Sequence, residues 1–193
     1  MAEPVNTPRL WLVRHARPLV APGVCYGGLD VAADDKHTQA SALRLHSALP
    51  PHITVIHSSP LRRCRQLADE LFSLRANTAP IQLDARLQEM DFGTWEGRRW
   101  NDIARAEIDA WTADFTRFRP GDGEPLQQML ARVAQALHDA QQSGKDAVWI
   151  THAGVIRCVL WLLEHGHDEP KANEWTMAAP GFGEWFCLPF APP

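Results

Sequence analysis

Two histidines close apolar runs that lie far apart in the chain. His15 follows Leu10–Val13, and His152 follows Ala147–Ile150. A third apolar run, Ile53–Ile56, gives way to Ser58, Ser59 and Pro60. Arginines stand at or just beyond the same points: Arg14, Arg17, Arg62 and Arg63. Guanidinium groups present a fixed fork of donors that fits phosphate oxygens, and an imidazole adds a further donor or acceptor. Two histidines with several arginines therefore describe a phosphate site. A metal centre would need extra carboxylate or thiolate ligands, and arginines as neighbours repel a cation. The other histidines (His37, His46, His52, His57, His138, His165 and His167) read as surface, loop or packing residues.

The elements that must position these groups follow from the apolar pattern. Leu10–Val13, Ile53–Ile56 and Ala147–Ile150 read as short buried strands. Between them lie helical periods at Gln39–Leu49, Pro60–Leu74, Pro125–Gln142 and Ala153–Leu163. Ser59 suits an N-cap with Pro60 at the first helical position, and Gly144 suits a helix stop. Strands alternating with helices predict an α/β fold with a mostly parallel sheet. Ligands in such sheets bind outside the carboxyl ends of the strands, so His15 and His152 are expected in one crevice. The helices after Ser59 and His152 start at that face, where free N–H groups and the helix dipole favour an anion.

Composition sets the limits. The chain has 193 residues, 45% of them hydrophobic and 22% charged, as expected of a globular domain. Its 19 basic and 23 acidic residues give a net charge of −4, which argues against a nucleic-acid binder. No apolar stretch is long enough to span a membrane, and the N-terminus does not read as a signal peptide. The four cysteines (Cys25, Cys64, Cys158 and Cys187) form no CxxC pair and are expected as reduced thiols in a cytoplasmic protein. From about 91 to 123 the chain is rich in aromatic residues and glycine, and reads as an excursion of helices and loops over the sheet edge. Its tryptophans serve packing in one reading and wall a substrate pocket in the other.

Four segments carry a resemblance. Leu12-Val13-Arg14-His15-Ala16 resembles the LxRHG signature of the histidine phosphatase (phosphoglycerate-mutase-like) superfamily. Ser58-Ser59-Pro60-Leu61-Arg62-Arg63-Cys64 resembles its SSPLxRA segment, and the run Leu87 to Gly97 its LxExxFGxWEG segment. Thr151-His152-Ala153-Gly154-Val155-Ile156-Arg157 resembles its SHGGVIR segment. The set keeps the family's order from about residue 9 to 165. Within the superfamily, Glu89 to Gly97 with Trp100 and Ile103, and Cys25-Tyr26-Gly27 with Asp30, look most like alpha-ribazole phosphatases.

The resemblance implies a three-layer α/β/α domain spanning residues 1–193. It also implies a cofactor-independent phosphomonoesterase acting on a small phosphorylated metabolite, possible substrates including alpha-ribazole 5′-phosphate of cobalamin assembly. His15 would become a phosphohistidine, and it must be neutral when it attacks. Arg14, Arg63 and His152 would hold the phosphoryl oxygens, with Ala153 and Arg17 as further contacts. Glu89 would protonate the leaving oxygen and then assist water, with Asp91 ranked second for that role.

Departures from the pattern are Ala16 for glycine, Ala153 in the second glycine pair, Gly28 where relatives often carry arginine, and an altered segment at 30–40. Ala16 would be costly if its φ were positive. Other readings are a phosphoglycerate-type mutase, a protein-phosphohistidine phosphatase and an inactive phosphate-binding module. The short stretch from Gly97 to Gly123 disfavours the mutase. The excursion Trp100–Phe118 disfavours the second, and the intact set Arg14, His15, Arg63, Glu89 and His152 the third.

Overall fold

The computed structural model describes residues 7–53, 55–75 and 80–190. The N-terminal residues 1–6, read above for a leader, and Thr54 within the run Ile53–Ile56 lie outside these. Strands β1 (Arg9–Arg14), β2 (Ile56–Ser58), β3 (Gln82–Leu83), β4 (Ala147–Thr151) and β5 (Trp185–Pro189) form one sheet in the order β3-β2-β4-β1-β5. All neighbours pair in parallel except β1 with β5, which is antiparallel. The helices are α1 (Asp35–Ala48), α2 (Arg62–Leu74), α3 (Arg105–Ala113), α4 (Leu126–Ser143) and α5 (Ala153–His165).

Side-chain alternation along the strands builds two apolar layers. Leu10 and Leu12 of β1 and Trp149 of β4 pack with Met129, Val133, Val155 and Val159 of α4 and α5. Trp11, Val13, Val148 and Ile150 face the other way, against Ala42, Leu45, Leu67 and Leu71 of α1 and α2. The central strands are thus buried on both faces, which is why they read as continuous apolar runs. Each fully buried leucine or valine contributes about 1.5–3 kcal/mol relative to exposure.

Three element boundaries shift markedly. The proline pair at 50–51 holds a turn through Ile53, whose N–H bonds Pro50 O, so the β2 ladder begins only at Ile56, opposite Val148. Helix α2 starts at Arg62, not at Pro60: Ser59 Oγ accepts Leu61 N–H, while Asp30 Oδ1, from a distant loop, accepts Arg62 N–H at 2.5 Å. Helix α1 starts at Asp35, not at Gln39, because Asp34 accepts His37 N–H at 2.7 Å as a side-chain cap. The altered 30–40 segment thus carries its own helix start. At the carboxyl end, Trp185–Pro189 forms an edge strand, and residues 191–193 lie outside the described residues.

The aromatic excursion contains α3 and three short 3₁₀ turns. Buried Cys25, Trp95 and Ile103 form its own small core with Phe92, Trp100, Ile108, Trp111 and Phe118. Gly93 and Gly121 adopt left-handed φ of 53° and 55° and sit back to back, where a Cβ on either would strike the main chain of the opposing segment. Main-chain bonds Cys25 N to Arg98 O and Gly97 N to Cys25 O tie the excursion to the loop after β1. All four cysteines are free thiols. Among the described residues no helix is long and apolar enough to cross a membrane.

Candidate active site

The sheet order places β4 between β1 and β2, so their carboxyl ends adjoin. Main-chain bonds prolong the ladders past the strands: His15 N to Thr151 O at 2.9 Å, and Ser59 N to Ile150 O at 2.9 Å. From this point α1 and α2 leave to one face and α5 to the other, which opens a crevice. His15, His152, Arg14 and Arg63 meet there.

His15 is buried. Its Nδ1 lies 2.7 Å from Ala16 O, and a carbonyl can only accept, so the proton sits on Nδ1 and the Nε2 lone pair is free. Burial, reinforced by the charges of Arg63 and Arg14, holds the His15 pKa well below the usual imidazole range despite the bond to Ala16. Its neighbour His152, 5.1 Å away between ring centroids, is likewise kept neutral by burial and by Arg63. The orientation of His152 follows from Ser59. Ser59 Oγ accepts Leu61 N–H and is hydrogen-bonded to His152 Nε2 at 2.8 Å. Buried Cys64 flanks the same ring, its Sγ 3.4 Å from Nε2.

Arg63 is completely buried at the start of α2 and gives Nη1 to Leu29 O and Nη2 to Gly27 O, at 2.8 and 2.7 Å. Arg14 gives Nη1 to Pro180 O at 3.1 Å. In both, the Nε–H is buried with no acceptor. Unmade buried bonds on charged donors are costly, so two of them beside two neutral imidazoles mark the place of an anion. His152, at the N-cap of α5, makes no side-chain capping bond, so the first-turn N–H groups from Ala153 onward are left to partners from elsewhere in the crevice.

Glu89 comes from the loop before the excursion. Its Oε2 accepts Gly154 N–H at 3.0 Å and its Oε1 accepts Met90 N–H at 3.1 Å. Gly154 has to lack a Cβ here, since one would strike the Glu89 carboxyl. Arg132 fastens the same loop from α4: Nη1 donates to Arg86 O and Gln88 O, and the guanidinium pairs with Glu124 at 2.7 Å. Glu96 does the equivalent for the loop after β1, accepting Gly28 N–H and Leu29 N–H as well as Phe92 N–H. Asp91, the second-ranked acid, accepts Gly93 N–H at 2.8 Å.

A cavity of about 290 Å³ adjoins Glu89. Tyr26, Phe92, Trp100, Trp111, Phe115 and Trp175 form its walls, with Arg157 and Gly154 from α5. Trp100 and Trp111 stack at 6.3 Å and 11°, so they serve packing and the cavity at once, whereas Trp95 is core. Ala16 is buried without a positive φ, so the methyl group replaces glycine at no conformational cost. Arg17 stands apart: it is exposed, and its main-chain N–H bonds His37 Nδ1.

Four contributors went unassigned in the sequence reading: Tyr26, Ser59 as a partner of His152, Arg132 and Phe182. A charged residue at position 132, inside the apolar face of α4, was the available signal for one of them.

Comparison with known proteins gives a consistent picture. A family model described as histidine phosphatase superfamily (branch 1) matches residues 10–180. The adenosylcobalamin/alpha-ribazole phosphatase of Salmonella typhimurium is 28% identical over 174 residues, covering 86% of this chain and 83% of that one. A metal-independent phosphoserine phosphatase of Arabidopsis thaliana is 28% identical over 159 residues, covering 77% and 65%. Among solved structures, the TTHB049 protein from Thermus thermophilus superposes with a TM-score of 0.70 at 30% identity, covering 93% of this chain and 92% of that one.

Proposed function

The chain belongs to branch 1 of the histidine phosphatase superfamily, and on that footing we propose a phosphomonoesterase that turns over through a phosphohistidine at His15, without metal or organic cofactor. One observation carries the reading: a neutral imidazole whose Nε2 is left free by its Nδ1 bond lies close to the guanidinium groups of Arg14 and Arg63, whose Nε–H groups are buried without acceptors.

The Nε2 lone pair of His15 attacks phosphorus, and the bond from phosphorus to the leaving oxygen breaks. Glu89, entering as the acid, gives that oxygen its proton and the alcohol departs. A water then attacks phosphorus, Glu89 takes its proton, and the P–N bond breaks to return free His15 and inorganic phosphate. Arg14, Arg63 and His152 donate to the phosphoryl oxygens throughout, and their bonds shorten as charge builds. The α5 terminus at Ala153 adds its dipole. Arg17, at the rim, serves the outer part of the substrate.

The substrate in this reading is a small phosphorylated metabolite. The aromatic cavity beside Glu89 takes the leaving alcohol, and its flat walls suit the base of alpha-ribazole 5′-phosphate. A place in cobalamin biosynthesis and a cytoplasmic setting belong to the same proposal, as does a single catalytic domain whose segment 91–123 covers the site. The Salmonella relative's name supports this substrate, and the Arabidopsis relative's name offers phosphoserine as the comparison. A panel of alpha-ribazole 5′-phosphate, phosphoserine, sugar phosphates and phosphoglycerates, assayed with excess EDTA, tests it. Alpha-ribazole 5′-phosphate is expected to give the highest kcat/KM with no loss in EDTA. A higher value for phosphoserine overturns the substrate, and inhibition by EDTA overturns the chemistry.

A further inference from the structure

Beyond the end of the family match at residue 180, the chain turns back onto the site. The segment Pro180-Gly181-Phe182-Gly183-Glu184 is a tight turn closed by Glu184 N to Gly181 O, and its Gly181 N–H is held by the Glu184 carboxylate at 3.1 Å. It is clipped to the end of β1 on both sides. Gly183 N donates to Arg14 O and His15 O at 3.1 and 3.0 Å, and Arg14 N donates to Glu184 O at 3.0 Å. From helix α1, Arg44 donates to Gly183 O. Gly183 adopts φ of 69°, where a Cβ would collide with Ser41 of α1, so the turn is fitted to this one seat.

That seat puts the Phe182 ring under the guanidinium of Arg14, 3.9 Å from Cζ to the ring centroid, and beside the His15 imidazole at 5.5 Å and 39°. The other restraints on Arg14 act at its edge. Nη1 bonds Pro180 O, from the same turn, and Tyr26 is a hydrogen-bonding neighbour, while Nε is buried without an acceptor. A guanidinium held by its edge can still tilt about that edge. A ring stacked on its face removes the tilt and fixes the direction in which Nε points.

We infer that Phe182 is a positioning residue for phosphoryl binding. Its ring holds the Arg14 guanidinium plane so that Nε–H faces the phosphoryl oxygens. The inference rests on the proposed role of Arg14. The turn is the counterpart of the Gly27 and Leu29 carbonyls at Arg63: Arg14 gives Nη1 and Arg63 gives Nη1 and Nη2 to main chain, and in both the buried Nε–H has no acceptor.

Calorimetric binding of inorganic phosphate tests this directly, with kcat and KM for an aryl phosphate beside it. The variants are Phe182→Leu, Phe182→Met and Phe182→Tyr, with Arg14→Ala as the reference. The ring-free Leu and Met variants are expected to bind phosphate about tenfold more weakly and to lose kcat/KM by a similar factor. The Tyr variant, which keeps the ring, is expected to return both to within about threefold. Wild-type affinity in both ring-free variants overturns the inference, as does an equal loss in Tyr. Should Arg14→Ala itself leave phosphate binding unchanged, the assignment of Arg14 to the phosphate fails instead.

Discussion

A neutral imidazole is a better nucleophile than a charged one, and the chain keeps His15 neutral by burial and by placing Arg63 and Arg14 close to it. In the proposed mechanism the same arginines serve the anion, so one arrangement prepares both reactants. At this scale the sharpest test is Gly154. It is the second residue of α5, where alanine suits the helix better by about 1 kcal/mol. Yet an added Cβ would push the Glu89 carboxyl aside. Gly154→Ala is therefore predicted to hold or raise the melting midpoint while lowering kcat by about 10- to 100-fold, most for poor leaving groups. A fully active variant would contradict the role given to Glu89. That Arg14, His15 and His152 would come together was legible in the sequence, because each stands within two residues of the end of an apolar run. Phe182 was not. It acts by stacking on a side chain far away in the sequence, and no local pattern encodes such a contact.

Elements position these residues through contacts that are distant in sequence. Helix α2 begins where Asp30 caps it, and the loop holding Glu89 is fixed by Arg132 of α4. Core faces could be read from spacing, as with Met129, Leu130, Val133 and Leu137. Helix starts could not be read reliably: Ser59, the apparent cap, bonds Leu61 N–H and His152, and α2 begins only at Arg62. The Arg132 clamp carries its own prediction. Its removal leaves Glu124 and three main-chain carbonyls without their partner inside the protein. Arg132→Met is expected to cost about 3–5 kcal/mol, or about 6–20 °C of melting midpoint at this chain length. Adding Glu124→Leu is expected to restore much of the stability and little of the activity. Recovery of both together would show that the clamp serves stability alone.

Across the whole molecule, a parallel sheet flanked on both faces was readable from alternating strands and helices. The two-residue β3 and the antiparallel edge β5 were too short or too near the tail to announce themselves. The molecule is acidic overall while its crevice is cationic, so the positive charge is sheltered by the fold. This has a consequence for stability. His15 and His152 have folded pKa values depressed below the ordinary 6.5, so the unfolded chain binds more protons in acid. Stability is full above about pH 6.5 and falls as pH drops through that value, by about 1.4 kcal/mol per pH unit for each histidine. Melting midpoints measured from pH 7.5 to 5 are expected to show this fall, and His15→Gln is expected to flatten it. A slope unchanged in that variant would contradict the buried neutral state of His15.

The central claim concerns a covalent bond at one atom. Wild-type protein mixed with labelled aryl phosphate and quenched within a turnover should retain label on the polypeptide, stable in alkali and released by acid, and His15→Ala should retain none. Label that survives acid, or label that persists in His15→Ala, would contradict the account.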